Sequence, residues 1–188
     1  MSETKPNPEH PLASADCINC VSGGTLAPQG ICCRDLRATL GRFPTGVTIV
    51  TALSKEGHAA GVTISSFNSV SLDPPLILWS LSQHSPKLDV FRHVERYAIN
   101  VLSAGQRALS DRFASRMGDR FADVSVHAGL GGTPLIDGCC AWFECTQEAQ
   151  HPGGDHLVFV GRVERFASGE STSPLVFFNG AYRQLEEG

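Results

Sequence analysis

From Gly46 onward the chain is cut into short runs of β-branched and aromatic residues, each closed by a turn signal. Gly46-Val47-Thr48-Ile49-Val50-Thr51-Ala52-Leu53 is the first run; Lys55-Glu56-Gly57 turns it, and His58 to Ser66 returns as the second arm of a hairpin. Pro75 to Leu81 and Tyr97 to Leu102 are further strands. Two long runs, about 138–148 and 156–166, face each other across Pro152-Gly153-Gly154-Asp155. A last pair, Leu175 to Phe178 and Tyr182 to Leu185, brackets Asn179-Gly180, a dipeptide that tolerates the positive φ angles of a tight hairpin. Helical spacing is confined to three short stretches. Asp35 to Phe43 sets Leu36, Leu40 and Phe43 at helical spacing, with Pro44 as the stop. Ser85-Pro86 supplies an N-cap and a first-turn proline ahead of Leu88 and Phe91. Ser103-Ala104-Gly105-Gln106 fits a capping box and opens a helix through Leu109 and Phe113. Many strands, few helices and no strand–helix–strand rhythm predict a mainly β, antiparallel barrel with short peripheral helices.

The 188 residues suit one domain large enough to bury a core without a metal or disulfide staple. Residues 1–33 are rich in Pro, Gly and Ser and read as a flexible extension; the domain is expected over 34–188. A net charge of −4 leaves no basic surplus for nucleic acid or an anionic membrane. No run approaches the roughly 20 apolar residues of a membrane span. The first residues lack the apolar stretch of a secretory signal, so the expected location is the cytoplasm. Cys17, Cys20, Cys32 and Cys33 are read as neither a metal site nor a disulfide, because adjacent cysteines rarely share one tetrahedral ion. The histidines show no metal spacing either, and no metal is expected.

The candidate binding chemistry concentrates in Gly61 to Leu76, where seven of sixteen residues are Thr, Ser, Asn or Asp and only Asp73 is charged. Such a corner offers hydrogen bonds to a phosphate or a polar ring edge; the same residue types also make ordinary turns. Within it, Thr63, Ile64, Ser65, Ser66, Phe67 and Asn68 are the candidates. Thr45-Gly46 after Pro44 is a second polar turn. Asn100 stands mid-strand among apolar residues and needs a polar partner, a ligand edge or neighbouring backbone. Ser85 and Lys87 lie at a predicted helix start, where free N–H groups attract anions. No GxGxxG, Walker A, GxSxG or HExxH motif occurs, so any nucleotide is held by another device.

Taken together, Phe43-Pro44-Thr45-Gly46-Val47, Ser66 to Leu76, Tyr97 to Leu102, Gly154-Asp155-His156 and Phe177 to Tyr182 resemble the short-chain flavin reductases, the reductase components of two-component flavin-dependent monooxygenases. The resemblance runs from about Leu36 to Leu185. It implies an FMN-binding split β-barrel, antiparallel and Greek-key-like, in a homodimer. It also implies FMN or FAD as the flavin, NADH or NADPH as hydride donor, and a partner monooxygenase that receives the reduced flavin. On the same basis His156 lies beside the nicotinamide as the catalytic-site histidine, positioning rather than protonating, and Tyr182 walls the same region. Two alternatives stand beside this reading. One is a split-barrel flavin-dependent oxidase of a small substrate, disfavoured by the few Arg and Lys near the site. The other is a non-enzymatic flavin- or haem-binding module.

Overall fold

The structure, a computed structural model, describes residues 32–115 and 118–185. Among these residues the order is α1 (Cys33–Leu40), β1 (Thr45–Gly46), β2 (Thr48–Leu53), β3 (Ala59–Ile64), β4 (Asn68–Leu72), β5 (Pro75–Ser82), α2 (Leu88–His93), β6 (Arg96–Val101), α3 (Arg107–Ala114), β7 (Val126–Ala128), β8 (Pro134–Ile136), β9 (Ala141–Gly153), β10 (His156–Ser168), β11 (Val176–Phe178) and β12 (Ala181–Arg183). The chain divides into two units, Met1–Arg42 and Phe43–Gly188. Of the first, α1 is described, with Asp35 in its first turn. Cys32, just before it, is disulfide-bonded, which corrects the expectation of no disulfide in this stretch. Metal ligation needs several thiols converging on one point, whereas a disulfide needs only two within reach. Cys17 and Cys20 lie outside the described residues.

The second unit is antiparallel throughout. Its main sheet has seven strands in the order β3-β2-β6-β9-β10-β5-β4, joined by a three-stranded sheet, β1-β11-β12, and the pair β7-β8. β2 explains the architecture. Alternate residues of a strand point to opposite faces, yet Thr48 to Ala52 are all buried. Val50 and Ala52 enter one core with Ile77, Trp79, Phe91, Tyr97 and Phe159. Val47 and Ile49 enter a second with Leu102, Phe113, Ile136 and Leu175. The sheet therefore has a hydrophobic core on each side of β2. It also curls: Ile64 of β3 packs in the same core as Ile77 and Trp79 of β5. In that core Trp79 stacks on Phe159 at 4.3 Å and meets Phe91 and Tyr97 edge-on at 5.2 and 5.5 Å. Gly161 lies where β10 passes the Tyr97 ring; a Cβ there would sit 2.1 Å from Tyr97 Oη, so no larger residue fits without displacing it.

Most predicted strands form near their expected limits, and the Asn179-Gly180 turn takes positive φ at both residues (51° and 74°). Three expectations change. Asn68 to Leu72, read as part of a corner and turn, is the edge strand β4, hairpinned to β5; its Asn and Ser residues are weak strand formers that pairing with β5 overrides. α1 stops at Leu40, one turn short of Pro44, where Gly41 and Arg42 bond back to Arg37 and Thr39. α2 begins at Leu88 rather than at Pro86. Ser85 Oγ instead accepts the Lys87 N–H at 3.3 Å, capping the turn before the helix.

A bulge in the β9–β10 ladder sets Arg165 opposite Glu144. Burial of Glu144 disfavours its charge, but hydrogen bonds from Arg165 Nε and the Leu130 N–H outweigh that and hold the carboxyl below its ordinary range. A depressed folded-state value means stability that is full above the unfolded carboxyl range and is lost as pH falls through the folded one. The Glu144→Gln variant should therefore be less stable than the wild type by about 1–3 kcal/mol at neutral pH. Urea titrations at stepwise lower pH should show that gap closing; a gap independent of pH would remove the ion pair from the account.

Candidate functional site

The Thr63–Asn68 corner is held from both sides. On one side, Thr63 Oγ1 donates to the Ser110 carbonyl at 2.8 Å. Ser110, fully buried in α3, places its own hydroxyl 2.9 Å from Tyr182 Oη. Tyr182 donates to Asp111 Oδ1 at 3.0 Å, and the Arg107 guanidinium lies 5.3 Å above its ring. The Tyr182 and Phe177 rings meet edge-on with centroids 5.5 Å apart, and Phe177 pairs with Thr45. Burial, and after it Asp111, pushes the Tyr182 phenol above its ordinary range, against the Ser110 hydrogen bond.

On the other side, Ser66 Oγ donates to the Ser80 carbonyl at 3.1 Å and accepts the Ser80 N–H at 2.9 Å, fixing the corner on β5. Two residues along β5, Ser82 pairs with His156 at the start of β10. His156 Nδ1 lies 2.8 Å from Asp155 Oδ1, and that hydrogen bond, with the attraction of the imidazole, holds the Asp155 carboxyl below its ordinary range. Gln83 donates from Nε2 to the Gly154 carbonyl and from its backbone N–H to the Asp155 carbonyl, both at 2.8 Å. Two residues on come Ser85 and Lys87. Hydrogen bonds, a ring contact, strand pairing and short stretches of chain thus connect Thr45, Thr63, Ser66, His156 and Tyr182; Gly46, Ser65, Ser85 and Lys87 are their near neighbours along the chain.

Five candidates take other places. Asn100 is fully buried, and Nδ2 donates to the Ile49 carbonyl (2.9 Å) and to Thr51 Oγ1 (3.0 Å), while Oδ1 accepts the Ile136 N–H (2.8 Å). It ties β6 to β2 and β8 and has no surface left for a ligand, so the neighbouring-backbone alternative is the observed one. Ile64 is a core side chain and reaches a ligand only through its backbone, while the half-buried Phe67 ring packs on Phe143 at 5.5 Å. Asn68 has become the first residue of β4. Pro44 is exposed just before β1.

Sequence reasoning missed Gln83, Arg107, Ser110 and Asp111. Ser110 and Phe113 share the buried face of α3 at i, i+3 spacing, and a serine on such a face is the signal that would have found it. The others sit on turns or exposed helix positions, where charged and amide residues are unremarkable.

The residues suit a flavin. Thr45 Oγ1 is buried with no hydrogen-bond partner among the described residues, an atom that a ligand's polar edge would satisfy. The exposed Ser65 and the half-buried Lys87 add donors without crowding. The domain is mainly antiparallel β, and its nearly uncharged polar corner is linked through β5 to an Asp-paired histidine. The family model "Flavin reductase like domain" matches residues 40–186, and the chain belongs to that family. It is similar to the FMN reductase (NADH) SmoA of Agrobacterium fabrum, 46% identical over 157 residues that cover 84% of this chain and 88% of the relative. It is 41% identical to the reductase component of the flavin-dependent trigonelline monooxygenase of Acinetobacter baylyi, over 79% of this chain and 48% of that protein, so it spans about half of that relative. In three dimensions it is similar to the NADH:FAD oxidoreductase SgcE6 of Streptomyces globisporus, solved with NAD and FAD fragments, at TM-score 0.77 and 34% identity over 81% of this chain and 92% of the other.

Proposed function

We propose that this chain is an NADH-dependent flavin reductase that supplies reduced FMN or FAD to a separate monooxygenase. The observation that carries the reading is the continuity of the hydroxyl-rich corner with His156, through Ser66–Ser80 and Ser82–His156. Flavin, when bound, takes up the hydride; the protein's part is binding and alignment. Thr45 and Gly46, with the corner Thr63 to Ser66, would hold the polar ring edge. Ser65, Ser85 and Lys87 would hold the phosphate. His156 would orient the nicotinamide of NADH, and Tyr182 would wall the same region. Names of relatives with a monooxygenase partner support the handover of reduced flavin. A homodimer with the flavin near its interface completes the proposal. Among the described residues no helix is long and apolar enough to cross a membrane, which fits a cytoplasmic location.

The test is nicotinamide oxidation by the purified protein with NADH or NADPH, each with FMN, FAD or neither. NADH oxidation that requires added flavin is expected. His156→Ala should lower kcat/KM for NADH by about 10- to 100-fold, the scale of lost alignment, with flavin affinity retained. Bound flavin with no oxidation of either nucleotide would overturn the reductase reading. Full activity of His156→Ala would remove that residue from it.

A further inference from the structure

We infer that Gln83 and Asp155 are positioning residues that set which nitrogen of His156 faces the nicotinamide, and so the chemical group it recognises. The inference rests on the reading of His156 given above. A carboxylate oxygen only accepts hydrogen bonds. Asp155 Oδ1, 2.8 Å from His156 Nδ1, therefore requires the proton on Nδ1. In the neutral ring that leaves Nε2 as an acceptor. The nicotinamide carboxamide presents an NH2 donor and a C=O acceptor; this tautomer selects the NH2 group, whereas the opposite tautomer would donate to the carbonyl instead.

The turn that carries Asp155 is a poor platform by itself. It contains Gly153 and Gly154, the latter at φ +67°, and glycine pairs leave a turn many conformations. Gln83 removes that freedom. Its side chain holds the Gly154 carbonyl and its backbone N–H holds the Asp155 carbonyl, both at 2.8 Å, while its neighbour Ser82 pairs with His156 in the sheet. Gln83 thereby locks the turn onto the end of β5, the same end that leads to Ser85 and Lys87. The carboxylate and the imbedded register act together: one selects the tautomer and the other keeps the carboxylate where it can.

Two readouts test this on the intact protein. The first is long-range proton–nitrogen NMR of the His156 ring, with His156→Ala for assignment, at a pH above the ordinary histidine range. Wild type should carry the proton on Nδ1. Asp155→Asn, whose amide can donate to Nδ1, should move it toward Nε2, and Gln83→Ala should give a mixture. A wild-type ring protonated on Nε2, or one unmoved by both variants, overturns the inference whatever the kinetics. The second is a cycle on KM for NADH. Gln83→Ala and Asp155→Asn should each raise it by about tenfold, the scale of one hydrogen bond. Neither should add to the loss in a His156→Ala background. Additive losses overturn the inference and leave His156 in place. If His156→Ala itself leaves NADH kinetics intact, the reading of His156 fails, and the NMR result alone decides the tautomer.

Discussion

Replacing Asn100 with alanine is expected to cost about 3 kcal/mol or more of stability and to leave flavin affinity unchanged in the protein that remains folded. The buried amide makes three hydrogen bonds, to the Ile49 carbonyl, Thr51 Oγ1 and the Ile136 N–H. Truncation leaves the Ile136 N–H buried with its acceptor gone. The Ile49 carbonyl loses a side-chain donor as well. An abandoned buried polar group costs far more than a formed hydrogen bond contributes, since water cannot replace the partner. Thr51 is partly insulated, because its hydroxyl also donates to the Pro134 carbonyl. Asn100→Asp keeps the shape but removes both donors and buries a carboxylate, so it should be no better. Urea unfolding followed by circular dichroism, alongside flavin titration below the unfolding midpoint, separates the two roles. Unchanged stability with weakened flavin binding would return Asn100 to the flavin edge.

Trp79→Ala is expected to cost about 3–5 kcal/mol, the range for emptying a large aromatic site in a packed core. Trp79 is fully buried, stacked on Phe159 and edge-on to Phe91 and Tyr97. Those neighbours are themselves held by three different elements, β10, α2 and β6, so the cavity cannot collapse without moving all of them. A loss under about 1 kcal/mol in equilibrium unfolding would mean that the core relaxes freely. There is a functional consequence too. Along β5 the inward residues Ile77, Trp79 and Leu81 alternate with Ser80 and Ser82, which anchor the hydroxyl-rich corner and His156. A loosened β5 should raise the KM for NADH even in the folded population. Trp79→Phe, which keeps a ring in the site, should recover much of both losses.

The sequence by itself determined the strand content, the antiparallel order of the hairpins and three of their turns. Those features are local: β-branched runs favour extended backbone, and Gly57, Gly154 and Asn179-Gly180 sit where the chain needs positive φ. His156 was legible as a residue of interest because its Gly-Asp-His turn and the motifs around it match a family. The clamp that holds it was not legible. Gln83 is 71 residues from the carbonyl it binds, and nothing in a run of polar turn residues says which distant backbone they will meet. The same limit explains Asn100. An asparagine inside an apolar strand signals only that a partner exists; whether that partner is a ligand or the backbone of β2 and β8 depends on which strands become neighbours. Only the tertiary structure decided this, by placing β2 between two cores and curling the sheet until β3 met β5. Pairing of strands far apart in sequence is chosen by the burial of whole faces, a property that no single segment carries.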